Sequence, residues 1–400
     1  MKVFIVTTEY GTGTSGGVES VVDFLLASIR RLTDWKVEVA SLRMSRRATE
    51  SRKLFDARSW LGGKRVTTLK TNDIYIHQVG SSLAELEMGR FMPRKWLDSL
   101  MADCDVVVVV SGTPAVCNAV RRARVPIVLQ VATLVRLERK EKNAQLRGAV
   151  AVYRRITTWL TGLLDEVGLK VPSLILVENN VMLQECKTRK VSAVELCPPG
   201  VNTDVFCPAE TLASKPYILM VARLDDARKN LDGLIRAYAQ ARENHGVTHD
   251  LVLAGMSSPS AKDFELIADL GLNTMIHVQS SLSQADLVKL YQEADLFVSA
   301  SFEEGLGLTF LEAMACAVPV VTTDTAGATF ILHDSLAGAV VPHGQRLTER
   351  LALELARWCH DEALRKVAGA VARKRVMSTF SEHVTAQRFV RAIAGVSSFD

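Results

Sequence analysis

Short apolar runs alternate with amphipathic stretches along most of the chain. The first run, Lys2 to Thr7, has the length of a strand, and Val18 to Arg31 then carries apolar residues at the three- and four-residue spacing of a helix. The same alternation predicts further strands at Lys36 to Leu42, Asp105 to Val110, Pro126 to Val131, Ser173 to Val177 and Val191 to Leu196. Repeated strand and helix pairs indicate a parallel sheet covered by helices.

A second series of strands and helices follows a break. The segment from Cys197 to Pro216 concentrates proline, glycine and turn residues, so we place an interdomain hinge there. Strands are then predicted at Tyr217 to Ala222, Leu251 to Ala254, Met275 to Gln279, Leu296 to Ala300 and Val318 to Thr322. Leu231 to Glu243 and Gln284 to Glu293 are predicted helices, and the pattern is helical beyond Leu347. The chain is therefore predicted to be an α/β protein with two parallel sheets.

Composition agrees with a folded two-domain protein. The chain has 400 residues, 48% of them hydrophobic, and this length suits two domains of roughly 150 to 200 residues. No uncharged apolar run approaches the roughly 20 residues that cross a bilayer, and no cleavage site follows the first strand. Seven cysteines without CxxC spacing indicate neither a disulfide framework nor a zinc site. We expect a cytoplasmic protein without a signal peptide or a membrane span.

Charge is distributed unevenly along the chain. Residues 1–200 carry a net charge of +10 and residues 201–400 a net charge of −6. Residues 30–70 alone hold 12 basic and 4 acidic side chains, with Phe55, Trp60 and Leu61 among them. A solvated loop face is one interpretation of this basic segment. The other is a surface that meets an anionic membrane or a phosphate-bearing acceptor, which would place the protein peripherally on the cytoplasmic membrane face. No nucleic-acid module is recognisable.

The residues best suited to bind a ligand lie in the stretch from Leu296 to Thr323, LFVSASFEEGLGLTFLEAMACAVPVVTT. In open α/β sheets ligands lie beyond the carboxyl ends of the strands, and Glu304 follows a predicted buried strand there. Gly305 and Gly307 let the backbone approach a ligand closely. The sequence therefore predicts a ligand-binding loop after this strand.

A helix is predicted to begin directly after that loop, near Thr309. The free amides of Leu308 and Thr309 at its start can bind an anion such as a diphosphate. Glu312, expected in the first turn, can accept hydrogen bonds from the hydroxyls of an adjacent ribose. The alternative is that Glu304 and Glu312 only complement the helix dipole.

Two cations follow another predicted strand. In YILMVARLDDARKN, which runs from Tyr217 to Asn230, Arg223 follows the strand and Lys229 opens a helix. Cations at the carboxyl edge of a sheet can hold a leaving diphosphate and stabilise its charge. As an isolated pair they would instead be solvated surface residues.

Together these stretches resemble the retaining GT-B glycosyltransferases, specifically glycosyltransferase family 4. The matching segments are GGVE at Gly16 to Glu19, PPGVNTDVF at Pro198 to Phe206, VARLDDARKN, and two glutamates separated by seven residues, Glu304 and Glu312. The resemblance implies two Rossmann-like domains facing an interdomain cleft. It implies an acceptor domain over residues 1–198, a nucleotide-sugar domain over residues 199–380, and a final helix over residues 381–400 that returns to the first domain.

The resemblance also implies roles for individual residues. Arg223 and Lys229 would hold the diphosphate, and Glu304 would act on the donor sugar as a positioning and electrostatic group rather than as a base. The remaining donor-binding residues would be Gly16, Gly17, Gly305, Gly307, Leu308, Thr309 and Glu312. The implied reaction is retaining transfer of a hexose-type sugar from a nucleoside-diphosphate sugar, with UDP-sugar favoured. The acceptor would be a hydroxyl of a glycan, glycolipid or small molecule, and no metal or other cofactor is implied.

One position departs from the family pattern. Many relatives have a histidine in a context like VPVVVTVHDL, whereas VPIVLQVATL at Val125 to Leu134 places Ala132 there. Gln130, Thr133 or Arg136 could substitute on the acceptor side. His77, expected after a strand, is interpreted as structural or solvated.

Other functions fit parts of the sequence. Gly11 to Gly16 is a literal GxGxxG, as in nicotinamide-dependent oxidoreductases, but Thr7 to Tyr10 separate it from the end of the strand. The end of the next strand, Ala40 to Arg43, offers no acid for a ribose hydroxyl. A catalytically silent protein of the same fold is a second alternative, motivated by Ala132, and a sugar-nucleotide epimerase is a third. Asp103 and Asp105 form a literal DxD but precede their strand, so we expect a turn there and no catalytic metal.

Overall fold

The computed structural model describes residues 1–11, 16–45, 48–52, 65–71, 74–81, 85–140, 143, 146–209, 215–333 and 336–397. The chain divides into two compact units. Unit 1 comprises Met1–Pro199 and Thr385–Asp400, and unit 2 comprises Gly200–Val384. The division between the units therefore falls near the start of the predicted hinge segment.

Unit 1 is built on an eight-stranded sheet. Its strands are β1 Lys2–Thr8, β2 Lys36–Leu42, β3 Val66–Thr71, β4 Ile74–Val79, β5 Val106–Ser111, β6 Ile127–Val131, β7 Leu174–Val177 and β8 Val194–Leu196. They lie in the order β3-β4-β2-β1-β5-β6-β7-β8, and all neighbouring pairs except β3 with β4 are parallel. The central strand β5, VVVVVS, is buried throughout, as expected for a parallel sheet covered on both faces.

Strand β3 was not predicted, and the strand expected before His77 is β4, which extends past it. Two residues separate them, which is too short for the crossover that a parallel pair requires, so β3 pairs antiparallel at the sheet edge. His77 lies within β4 rather than after a strand, which corrects the expected position. Its ring is buried, with Nδ1 2.9 Å from the Thr68 hydroxyl and Nε2 3.2 Å from the Glu38 carboxylate.

Helices cover the sheet of unit 1. They are α1 Gly17–Leu32, α2 Lys95–Leu100, α3 Val135–Glu138, α4 Gly148–Gly168 and α5 Asn180–Thr188. The final helix of the chain, α13 Glu382–Ser397, begins in unit 2, and its residues from Thr385 onward belong to unit 1.

Unit 2 contains a six-stranded parallel sheet. Its strands are β9 Tyr217–Val221, β10 Asp250–Gly255, β11 Ile276–Ser280, β12 Leu296–Ser299, β13 Val320–Thr323 and β14 Gly338–Val341. The sheet order is β11-β10-β9-β12-β13-β14. The helices are α6 Leu231–His245, α7 Ala261–Asp269, α8 Gln284–Glu293, α9 Leu308–Ala315, α10 Ala326–Leu332, α11 Leu347–His360 and α12 Glu362–Arg375. Strand β14, GAVV, was not predicted, because it begins with glycine and alanine rather than with the β-branched residues typical of strands.

Two Rossmann-like sheets are thus present, and the predicted α/β fold is confirmed apart from the antiparallel edge strand β3. Among the described residues, no helix combines the length and the apolar character needed to cross a membrane.

Candidate active site

The strand order of unit 2 reverses between β9 and β12. Counted from β9, the order is 3-2-1-4-5-6, and in such sheets ligands bind at the carboxyl edge where the order reverses. The loop after β9 carries Arg223 and Lys229, and the loop after β12 carries Glu304. The topology therefore brings the two stretches singled out from the sequence to one edge of the sheet.

An ion pair joins the two loops. The Lys229 ammonium lies 2.6 Å from Oε1 of Glu304, and the Ser301 hydroxyl donates to the same oxygen at 2.8 Å. The two ionic side chains are only 16% and 15% exposed. Partial burial weakens the screening of this pair by water, so Lys229 and Glu304 are strongly coupled electrostatically.

Arg228 connects the same loops a second time. The backbone amide of Phe302 donates to the Arg228 carbonyl at 2.8 Å, and the Arg228 guanidinium lies 3.6 Å from the Glu303 carboxylate. Lys229 is followed by Asn230 in the left-handed conformation, with φ of 52°, from which α6 begins. The hydrogen bond from Phe302 holds the backbone that presents Lys229.

Arg223 lies closer to solvent than Lys229. Its side chain is 47% exposed and donates one hydrogen bond of 3.1 Å to Asp226. Burial opposes ionisation of Asp226, but hydrogen bonds from Arg228 and the charge of Arg223 bring its pKa down to about 2. A guanidinium has five N–H donors, so Arg223 retains donors for an anion while it is held by Asp226.

The loop after β12 reaches α9 through a glycine with positive φ. Gly307 has φ of +90°, and a Cβ atom at this position would lie 2.5 Å from the Phe310 ring. Leu308 and Thr309 are the first two residues of α9, so their amides have no intrahelical acceptor. The helix start therefore presents backbone donors at the edge where Lys229 lies.

Helix α10 packs against the loop that contains Glu304 and Leu306. The Gly327 amide donates to the Glu304 carbonyl at 2.9 Å, and a Cβ atom at position 327 would lie 2.1 Å from the Leu306 carbonyl oxygen. Only glycine permits this approach, so Gly327 contributes to the position of Glu304.

Glu312 lies deeper in α9 than expected. It is the fifth helical residue rather than a residue of the first turn, and it is partly buried. Its carboxylate accepts a 2.6 Å hydrogen bond from the Tyr291 hydroxyl on α8. Burial raises the pKa of Glu312 to about 7, although the bond from Tyr291 favours the anion.

The glycine pair of unit 1 lies at the start of a helix. Gly16 has an extended backbone, and α1 begins at Gly17. The Glu19 carboxylate in the first turn accepts from the Gly11 amide at 3.3 Å. The middle of the GxGxxG sequence, residues 12–15, lies outside the described residues, so contact of Gly16 and Gly17 with a donor stays a prediction.

The three residues assigned to the acceptor side differ in exposure. Gln130 and Thr133 are buried, and the Gln130 amide donates to the Cys197 carbonyl at 3.2 Å and to Glu178 at 3.4 Å. Arg136 is half-exposed and forms an ion pair with Glu185. Contact between Gln130 and an acceptor would therefore require exchange of its internal hydrogen bonds.

The basic segment of residues 30–70 is described only in part. Arg43 forms an ion pair of 3.1 Å with Glu9. Residues that lie outside the described part include Arg46, Arg47, Lys53, Phe55, Arg58, Trp60, Leu61 and Lys64. The membrane or acceptor surface proposed on this segment stays a prediction.

Sequence reasoning missed three residues that hold the site together: Ser301, Tyr291 and Gly327. Ser301 could have been found as a polar residue at the end of a buried strand. Tyr291 and Gly327 act across separate helices, so no local pattern signals them. Among the described residues, no group of three or more histidine, cysteine or acidic side chains is placed to hold a metal ion.

A comparison with known protein families matches the part of unit 2 that contains the sheet edge between β9 and β12. Residues 208–375 match the family described as glycosyl transferases group 1. This region therefore resembles that family. The group 1 region contains Arg223, Lys229, Glu304 and Glu312, so every candidate residue of unit 2 lies within it.

Curated relatives match parts of the chain. A D-inositol 3-phosphate glycosyltransferase from Kribbella flavida is 30% identical over 217 residues, which cover 50% of each chain. An MMP alpha-(1->4)-mannosyltransferase from Mycolicibacterium hassiacum is 30% identical over 39% of this chain and 38% of its own. The matches to the curated relatives thus span half of their length or less.

Solved structures share the whole fold. Sucrose-phosphate synthase from Thermosynechococcus elongatus has a TM-score of 0.77 at 18% identity and covers 100% of both chains. An Anabaena protein in complex with UDP-glucose has a TM-score of 0.70 at 15% identity, covering 98% of this chain and 99% of its own. The fold of the chain around the group 1 region is therefore GT-B.

Proposed function

We propose that this protein transfers a hexose-type sugar from a nucleoside-diphosphate sugar, with UDP-sugar favoured, to a hydroxyl acceptor. One observation carries the proposal: Lys229 and Glu304 are paired at the carboxyl edge where the strand order of unit 2 reverses, next to the start of α9. An ammonium and free amides suit a diphosphate, and an adjacent carboxylate suits the sugar whose bond breaks. The match of residues 208–375 to the group 1 family supports the same activity.

The proposed reaction retains the anomeric configuration and requires no enzyme nucleophile. The acceptor oxygen forms a bond to the anomeric carbon on the face from which the diphosphate oxygen departs. The acceptor proton passes to that departing oxygen. Lys229, Arg223 and the α9 amides compensate the charge that builds on the diphosphate, and Glu304 stabilises positive charge on the sugar.

The acceptor is proposed as a hydroxyl compound that bears phosphate or is linked to a lipid. The net charge of +10 on residues 1–200 favours an anionic acceptor. The relatives named as D-inositol 3-phosphate glycosyltransferases agree with this chemistry. Arg136 is the proposed contact of unit 1 with the acceptor, and Gly16 and Gly17 are its proposed contacts with the donor.

The full chain should release UDP from a UDP-sugar in EDTA and transfer the sugar with retention. Arginine, lysine and amide donors replace a metal, so added Mg²⁺ should not be required. A panel of nucleoside-diphosphate sugars with EDTA, followed by NMR of the first product formed, measures both points. Activity that returns only with Mg²⁺ or Mn²⁺ would reject the metal-free site, and an inverted product would reject the mechanism.

The same assay separates the alternatives. A silent protein would bind nucleotide and release no UDP, and an epimerase would form a new sugar nucleotide without any acceptor. A separate measurement of the melting temperature tests the remaining alternative. NAD rather than UDP would raise the melting temperature of a nicotinamide-dependent oxidoreductase, because only a bound ligand raises thermal stability.

Binding of UDP-glucose should tighten as the pH rises through about 7. Burial raises the pKa of Glu312 to about 7, so this residue becomes a carboxylate that can accept ribose hydroxyls only above that value. Between pH 6 and 8 the affinity should rise about tenfold, because UDP-glucose itself does not ionise there. Calorimetric titration of the wild type and of Glu312→Gln should show that the variant loses this dependence. An exposed carboxylate on α11, changed as Glu349→Gln, is the control.

The stability of the protein gives a second readout of Glu312. The folded protein keeps a proton that the unfolded chain releases above its ordinary pKa of 4.5, so ionisation of Glu312 lowers stability as the pH rises from 4.5 to about 7. Glu312→Gln should reduce this slope. Suppose that Glu312→Gln and the wild type show the same dependence of stability on pH and the same dependence of UDP-glucose binding on pH. That result would contradict both the shifted pKa of Glu312 and its proposed contact with the ribose.

A further inference from the structure

Helix α4 of unit 1 is attached through its polar side. Its buried residues are Ala151, Thr161, Asp165 and Gly168. The Asp165 carboxylate accepts from the backbone amides of Ala115 at 3.0 Å and Val135 at 2.8 Å. A surface helix usually packs its apolar side and exposes its polar side, and α4 does the reverse.

An apolar stripe on α4 faces solvent. The α4 apolar face consists of five side chains that are 46% to 64% exposed: Val152, Ile156, Trp159, Leu163 and Val167. At 3.6 residues per turn these positions share an arc of about 80°, opposite the buried residues. Tyr153, also 64% exposed, borders the stripe. Contiguous exposed apolar surface of this kind marks an interaction site.

The chemistry of the same helix indicates what covers this face. Arg155 lies three residues after Val152 and four before Trp159, so it borders the α4 apolar face, and residues 1–200 are basic as a whole. Tryptophan and tyrosine rings favour the boundary between lipid headgroups and acyl chains. A stable protein interface uses roughly 20 to 30 residues a side, far more than this stripe supplies. The face therefore fits a lipid surface better than a second copy of the chain.

We propose that α4 binds the surface of an anionic bilayer, with the α4 apolar face at the headgroup and acyl boundary and Arg155, at the border of that face, on the headgroup phosphates. The helix lies in the interface and does not span it, because four charged residues interrupt its 21-residue length, namely Arg154, Arg155, Asp165 and Glu166. This surface is distinct from the basic segment of residues 30–70, and the inference is independent of the proposed transferase activity.

Vesicle sedimentation with matched variants tests the proposal. Vesicles of phosphatidylcholine with one-quarter phosphatidylglycerol should bind the wild-type full chain. The variant Ile156→Ser/Trp159→Ser/Leu163→Ser should bind on the order of a hundredfold more weakly, because apolar burial supplies most of the affinity. The control Phe264→Ser/Leu353→Ser/Val367→Ser removes three side chains of unit 2 with similar exposure, 46%, 53% and 57%, and should bind like the wild type.

Two further measurements locate the contact. Brominated lipid should quench part of the fluorescence of the five tryptophans, and Trp159→Phe should remove that part while it keeps most of the binding. In 0.5 M salt the wild type should still bind in part, and the serine variant should not bind, because salt screens the charged groups but not the apolar contact.

Three outcomes would overturn the inference. The first is that the serine variant binds as well as the wild type. The second is that 0.5 M salt abolishes all binding of the wild type, which would assign the binding to charge alone, such as the charge on residues 30–70. Light scattering could instead show a lipid-free wild-type dimer that becomes a monomer in the serine variant, which would make the α4 apolar face a contact between copies. Unchanged melting temperatures would show that the variants are folded in each case.

Discussion

Lys229→Ala should lower kcat about a hundredfold and raise KM for the donor. Negative charge builds on the diphosphate as the sugar bond breaks, so a fixed cation stabilises the transition state more than the bound donor. The loss of one preorganised group of this kind costs roughly 3 kcal/mol, which is about a hundredfold in rate. Steady-state kinetics with a soluble acceptor would measure both constants.

The control for Lys229→Ala comes from the same region. Arg236→Ala also removes a cation paired with a carboxylate, Asp232, but both side chains are more than half exposed on α6. Such pairs contribute little, so both kinetic constants should stay unchanged. If Lys229→Ala also left both constants unchanged, the role assigned to this ammonium would be wrong.

A double variant separates two effects of losing Lys229. Lys229→Ala leaves the Glu304 carboxylate without its partner at 2.6 Å, so the carboxylate itself could repel the diphosphate. Lys229→Ala/Glu304→Gln removes that repulsion. Donor affinity should remain weak in the double variant if Lys229 contacts the diphosphate, and recovery of the affinity would show that Lys229 only neutralises Glu304.

Glu304→Gln should lower transfer at saturating donor on the order of a hundredfold while UDP binding does not weaken. Glutamine keeps the shape and the acceptor for the Ser301 hydroxyl, but it removes the negative charge that stabilises a cationic sugar in the transition state. It also frees Lys229 from a competing anion, so affinity for UDP should hold or rise. Single-turnover kinetics and calorimetry on the same preparation separate these effects.

The neighbouring residue provides a close control for this variant. Glu303 is 17% exposed, close to the 15% of Glu304, but it pairs with Arg228 rather than with Lys229. Glu303→Gln should transfer normally. A Glu304→Gln protein that lost UDP binding yet transferred normally at saturating donor would reverse the proposed roles.

The placement of the candidate site residues of unit 2 at one sheet edge was predictable because each loop is local in sequence. Each loop directly follows an apolar strand, and parallel strands bring their carboxyl ends to one edge, so Lys229 and Glu304 could be placed together without coordinates. One glycine of the loop, Gly307, has a φ of +90°, which favours glycine, and the approach of the loop to a ligand stays a prediction.

Other features depend on contacts between distant parts of the chain. The bond from Tyr291 to Glu312 joins two helices, and neither helix shows it in its own sequence pattern. The hydrogen bonds from Gln130 to Glu178 and Cys197 likewise join segments that are distant in sequence. Strand β3 escaped prediction because its exposed edge position requires no apolar face. Helix α4 carries an ordinary helical period, so only the fold shows that its apolar side is turned outward.

Calorimetric titration of UDP in EDTA tests most directly whether unit 2 binds the donor at the edge between β9 and β12. The wild type should bind one UDP per chain, and Arg223→Ala/Lys229→Ala should bind far more weakly, because both cations proposed to hold the diphosphate are gone. Arg236→Ala should bind as the wild type does. Equal binding of UDP by the wild type and by Arg223→Ala/Lys229→Ala, or no binding of any nucleoside diphosphate by the wild type, would contradict this assignment.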